Sequence, residues 1–198
     1  MKKPANNDHP INDLSRERWS PRAFADRPVE TRHAASLLEA ARWAPSAMNE
    51  QPWRFIIGMK GDSTWDHLYA TLIGWNQQWA NRAPMLLLVI GKERYGSNEK
   101  NNDFHTYDCG QAMAHITLEA TNLGLFTHQI GGFSAEKAVE MFEIPEGYNP
   151  IAMMAIGYYG NPDALPEEMK QREIASRDRK KLKEIVFSRK FGEPSPIV

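Results

Sequence analysis

The chain reads as a layered α/β or α+β domain with helices covering a sheet. Three observations predict this. Short apolar runs alternate with segments of helical periodicity, glycine or proline ends most of them, and no internal repeat or long linker interrupts the 198 residues. One core can serve a chain of this length.

The elements follow in order. From Thr31 to Trp43, Ala34, Leu37, Leu38 and Ala41 recur at helical spacing. The pattern stops at Ala44, because the residue before Pro45 is biased out of the helical region. Trp53 to Ile57 is a run of aromatic and β-branched residues ended by Gly58, which predicts a strand. A helix is predicted from Thr64 to about Trp79, with Trp65, Leu68, Tyr69, Leu72 and Ile73 on one face. Met85 to Ile90 is a strand buried on both sides. From about Tyr107 to Leu123, Met113, Ile116, Ala120 and Leu123 are in phase, and Gly124 suits a left-handed cap. Leu125 to Ile130 is a short strand running into Gly131-Gly132, after which Ser134 caps a short helix ending near Phe142. Ile151 to Ile156 is a further buried strand, closed by Gly157-Tyr158-Tyr159-Gly160. Residues 160–198 form a C-terminal extension with no core of its own, basic over 170–191. That extension is expected to pack on another surface.

Composition limits the possible functions. Hydrophobic residues make up 41% and charged residues 25%, close to a globular average. A net charge of −1 gives no long-range attraction to nucleic acid or membrane, and the basic stretch at 170–191 has no reading motif beside it. A single cysteine, Cys109, cannot form an internal disulfide, which suits a reducing compartment. The N-terminus lacks the apolar stretch of a signal peptide, and Met85 to Ile90 is far below the roughly 20 residues that span a bilayer. These features predict a soluble, cytoplasmic protein.

Common catalytic devices are missing. The sequence has no Gly-x-Gly-x-x-Gly, no Walker-type loop and no Gly-x-Ser-x-Gly elbow, and its six histidines never pair at metal-ligand spacing. Catalysis then calls for a bound organic cofactor.

Two polar segments are candidates to hold one. Arg18, Ser20 and Arg22 alternate, so an extended backbone puts all three on one side as a clamp for an anion. Taken alone they read as a solvated basic turn. In the loop at residues 44–55, Pro45 and Pro52 fix the backbone while Ser46, Asn49 and Gln51 offer donors and acceptors; the plain alternative is an ordered connection with internal turn bonds. The wording is more specific than the chemistry. Arg-x-Ser-x-Arg-x-Phe at 18–24 and Ala-Pro-Ser-x-x-Asn-x-Gln-Pro-Trp-x-Phe at 44–55, in this order, resemble the N-terminal signature of FMN-dependent nitroreductases.

The resemblance extends along most of the chain. Asn76 matches an asparagine that in the family meets the pyrimidine edge of the flavin, and Gly131-Gly132 matches a loop whose backbone N–H meets flavin N5. Arg177 and Arg179 lie in a run similar to the family's basic C-terminal motif, whose cations reach the FMN phosphate; Lys180, Lys181 and Lys183 read as a solvated face. Better-known members have an acidic residue at Gly131 and a lysine near Trp79, so the chain looks more like the short glycine-glycine members. His128, Tyr107, Trp75 and Cys109 receive no role.

The resemblance implies an α+β fold with a central mixed sheet flanked by helices. It also implies an intertwined homodimer whose C-terminal extension packs on the partner, with flavin at the interface and the Pro45-Ser46 loop approaching from the second subunit. The implied function is an FMN-dependent oxidoreductase. NADPH or NADH would reduce the flavin, which would then reduce a nitroaromatic, quinone or activated alkene in a ping-pong cycle, with no protein residue acting as acid or base. A specialised reductase of a semialdehyde or halogenated aromatic, and a flavin-binding protein with little turnover, are the alternatives.

Overall fold

The computed structural model describes residues 2–198. In chain order the elements are α1 (Asp13–Glu17), α2 (Thr31–Arg42), β1 (Trp53–Met59), α3 (Ser63–Thr71), α4 (Gly74–Ala80), β2 (Met85–Lys92), α5 (His105–Asn122), β3 (Phe126–Ile130), α6 (Ala135–Phe142), β4 (Tyr148–Gly157) and α7 (Glu167–Ile174). Short 3-10 turns occur at Ala47–Asn49, Pro162–Ala164 and Leu182–Glu184.

The continuous apolar run of β2 is explained by burial on two faces. Leu86, Leu88 and Ile90 pack on one side with Leu68, Trp79 and Met153, while Met85, Leu87 and Val89 pack on the other with Leu37, Met113 and Ile116. The period of two in strand side chains divides one hydrophobic segment between two cores. Helices α3, α4, α6 and α7 contribute to the first core, and α2 and α5 to the second.

The strand order is β1-β2-β4-β3, and every hydrogen-bonded pair is antiparallel. This corrects the expectation of a mixed sheet. Helix α5 joins two strands that run the same way, but β4 is inserted between them, so no parallel pair forms. The β2–β4 register shifts between Val89 and Ile90, opposite Pro150, a residue without an N–H for the ladder.

Three boundaries also depart from expectation. Strand β1 continues through Gly58, because that glycine lets the backbone of Trp65 approach to where a Cβ would meet its N at 2.3 Å. The helix expected over 64–79 is broken. Leu72 is extended at φ −66° and ψ 143° and bridges Phe133, the Ile73 N–H donates to the Gly132 carbonyl at 3.1 Å, and α4 restarts at Gly74. The C-terminal extension, finally, does not leave its own chain at residue 160. Met169 and Glu173 are buried within the same protomer, and apolar exposure begins next to them at Ile174 and continues at Leu182, Ile185, Phe191 and Ile197.

Candidate functional site

The cationic end of the site comes from two distant pieces of chain. Residues 18–23 follow α1 without regular structure and bend at Arg22, and the segment at 172–179 arrives from α7. Together with Lys3 they line a cleft of about 200 Å³ that holds Lys3, Arg18, Arg22, Arg172, Arg177 and Arg179 against the single carboxylate of Glu173. Burial, followed by Arg177 and Arg179, pushes the Arg18 guanidinium below its ordinary value. Burial likewise lowers Arg22, opposed by Glu173 and assisted by Arg172. Both shifts mean that burial, helped by neighbouring cations, disfavours the charged form.

Ser20 lies beside this cluster and accepts from Arg18 at 3.2 Å. Arg177 donates to the main-chain carbonyls of Arg18 at 2.8 Å and Lys3 at 2.5 Å, so its guanidinium is already engaged. Arg179 is exposed, and its guanidinium donates to the adjacent Asp178 carbonyl at 2.7 Å. Two buried donors at the cleft, Trp19 Nε1 and Arg22 Nε, have no hydrogen-bond partner among the described residues. A buried N–H without an acceptor is costly.

The break between α3 and α4 builds the neighbouring part. It brings Asn76 to Gly132, where Nδ2 donates to the Gly132 carbonyl at 3.0 Å and Oδ1 accepts from Trp79 Nε1 at 3.3 Å. The second amide N–H of Asn76 has no hydrogen-bond partner among the described residues. A Cβ on Gly132 would meet Asn76 Nδ2 at 2.5 Å, whereas one on Gly131 would face open space. Trp79 also packs on His128 with ring centroids 4.6 Å apart, and His128 Nδ1 donates to the Pro21 carbonyl at 2.9 Å. Arg172 lies over the Trp75 ring at 5.4 Å. The Arg172–Trp75 and His128–Pro21 contacts link this part to the arginine cleft.

The loop at 45–51 is elsewhere. Its internal bonds match the plain alternative: Gln51 N–H donates to Ser46 Oγ at 3.0 Å, and Gln51 Nε2 to the Asn49 carbonyl at 3.1 Å. Met48, Asn49 and Gln51 all have positive φ, between 52° and 55°. Two carboxylates anchor this strained backbone. Buried Asp108 accepts from the Ala47 N–H at 3.0 Å, and Glu50 accepts from Gly96 N–H at 2.8 Å. The loop feeds edge strand β1, while Gly131-Gly132 leaves the opposite edge strand β3. Three strand spacings separate these edges, about 14 Å. Among the described residues no hydrogen bond joins Pro45, Ser46, Asn49 or Gln51 to Arg22 or Gly132.

Sequence reasoning missed Glu173, Asp108 and His128. A signal for Glu173 existed, since it lies four residues after buried Met169 and so shares the inward face of α7. For His128, a side chain in the middle of a five-residue strand gave none.

Comparison with known proteins adds independent information. A sequence model of the nitroreductase family matches residues 15–64 and 62–158. An uncharacterised 15.4 kDa protein from the ask 5′ region of Mycolicibacterium smegmatis is 32% identical over 148 residues, which is 71% of this chain and 99% of that protein. A crystal structure of an oxidoreductase containing FMN is 34% identical and superimposes with a TM-score of 0.90, covering 95% of this chain and 96% of the other. A nitroreductase family protein of Clostridium difficile 630 is 27% identical at a TM-score of 0.70, covering 89% and 96%.

Proposed function

The chain belongs to the nitroreductase family, and from that premise we propose that it is an FMN-dependent NAD(P)H oxidoreductase acting on small acceptors. The observation that carries the proposal is the cleft between residues 18–23 and 172–179. It has six cationic side chains to one carboxylate, and two buried donors without partners. A dianionic phosphate supplies the missing charge. The FMN-containing relative supports the same ligand.

FMN, when bound, supplies two-electron chemistry, taking a hydride at N5 from a nicotinamide donor and giving it to an acceptor. The chain's residues bind and orient. Arg18, Ser20 and Arg179 hold the phosphate. Arg22 and the spare N–H of Asn76 meet the pyrimidine edge, where a cation and an amide donor favour the negative charge that builds up there. Gly131 and Gly132 give the flat ring main-chain N–H groups with no side chain in the way.

The loop with Pro45, Ser46, Asn49 and Gln51 serves the cofactor of a second copy, which makes the working form a homodimer. Its place at the far sheet edge supports this, as do the exposed side chains of Trp43, Met48, Phe191 and Ile197. Residues 178–198 are the part of the extension that reaches the partner. The acceptor class is nitroaromatic, quinone or activated alkene.

Initial rates at varied NADPH and varied quinone test the shared-pocket cycle. Parallel double-reciprocal lines are expected, and intersecting lines would overturn it. Sedimentation of the FMN-loaded protein is expected to give the mass of two copies; a monomer that holds FMN would remove the 45–51 loop from the site.

A further inference from the structure

We propose that Glu173 and Arg177 are positioning residues that fix the main chain of residues 18–23, so that the side chain of Arg18 stays free for a phosphate. This rests on the FMN reading above and assigns Arg177 a different task from a phosphate contact.

Glu173 is only 1% exposed. A carboxylate buried beside a group of guanidiniums would ordinarily pair with one of them and neutralise it. Here it makes no ion pair among the described residues. It accepts instead from the Arg22 N–H at 3.1 and 3.0 Å and from the Ala23 N–H at 3.1 Å, reaching across 151 positions of sequence. Its own main-chain carbonyl accepts from Lys3 Nζ at 2.7 Å. Four residues on, Arg177 bridges the carbonyls of Arg18 and Lys3. The arm from α7 therefore holds the donor side of the segment with a carboxylate and the acceptor side with a guanidinium. Both bonds go to peptide groups, so neither uses up the Arg18 or Arg22 cation. Bonds in which one partner is ionised are the strong class of hydrogen bond. The segment has no regular secondary structure between Arg18 and Ala23, and beside this arm its main chain is met by His128 at the Pro21 carbonyl and by the Gly160 N–H at the Ala23 carbonyl.

The test compares FMN with riboflavin, which shares the ring and lacks the phosphate. Dissociation constants of both are measured on apo-protein by quenching of flavin fluorescence, in the wild type, Glu173→Gln and Arg177→Lys. The wild type is expected to prefer FMN. Glu173→Gln is expected to weaken FMN about tenfold or more, as loss of charge-assisted bonds predicts, and riboflavin less than about threefold. Both carbonyls are met by Nη1 of Arg177; Arg177→Lys keeps the charge, but its side chain ends one bond short of that position, and it is expected to show the same pattern. A lysine variant that binds FMN like the wild type would mean that Arg177 acts only as a charge, and would overturn the inference. So would an FMN-to-riboflavin ratio unchanged in both variants, as a general loss of stability would give. If Glu173→Gln does not fold, Arg177→Lys decides by the same ratio. A wild type with no preference between the two flavins overturns the FMN reading itself, and this inference with it.

Discussion

Acidification from pH 7 to pH 5.5 is expected to cost the fold about 1.2 kcal/mol through His128 alone. Burial first, and the Arg22 cation second, push this imidazole down to about 4 from 6.5. The geometry agrees. Nδ1 spends its proton on the Pro21 carbonyl, the ring lies against Trp79, and a second proton would place a cation beside Arg22. The unfolded chain takes up that proton near pH 6.5, and the native chain only near pH 4. Stability is thus fully present above 6.5 and is lost as the pH falls from 6.5 towards 4, about 3 kcal/mol over the whole window. Over the upper part, between pH 7 and 5.5, the same relation gives about 1.2 kcal/mol. Ordinary carboxylates titrate little in that range. The assay is urea unfolding of the wild type and of His128→Gln at both pH values, which cancels the other histidines. The wild type is expected to lose about 1.2 kcal/mol more than the variant. Equal losses would refute the claim that His128 is buried neutral beside Arg22.

Other perturbations address separate parts of the account. Arg22→Ala should weaken FMN about tenfold or more by loss of a charge-assisted contact, measured by equilibrium dialysis; unchanged retention would take Arg22 out of the site. Gly160→Ala should cost about 2 kcal/mol in denaturant unfolding, because its Cβ would lie 2.5 Å from the main-chain carbon and oxygen of Phe24. Gly131→Ala, facing open space, should leave the apo fold close to wild type by the same measurement. Asp108→Ala removes the buried acceptor of the Ala47 N–H, a loss of about 2 kcal/mol. Faster hydrogen exchange confined to residues 46–51 is expected, and unaltered exchange there would show that Asp108 does not anchor the loop.

Much of this could be read from the chain because single residues dictate local outcomes. Pro45 ended α2, Ser134 capped α6 with its side chain accepting from Lys137 N–H, and the unbroken run at Met85 required a strand covered on both sides. What escaped depended on partners distant in sequence. Leu72 and Ile73 are in phase with a helix, yet strand-like bonds to residues 132 and 133 outweighed that local preference. The same break brings Asn76 to Gly132, so a misread boundary fell at the site. Periodicity does not specify that β4 enters between β2 and β3, so the sheet's antiparallel character had to come from its pairing. Within the site, the cations were visible as letters, and Arg18, Ser20 and Arg22 do gather with Arg177 and Arg179. Their division of labour was not visible, because only the fold shows that Arg177 faces carbonyls and Glu173 faces N–H groups.

The most direct test of the central claim is the visible absorption spectrum of freshly purified protein, before and after anaerobic addition of NADPH and then NADH. The account predicts flavin bands, native or restored by added FMN, that bleach when the nicotinamide donor arrives. A colourless protein that takes up no FMN, or one whose flavin bands survive both donors, would contradict it.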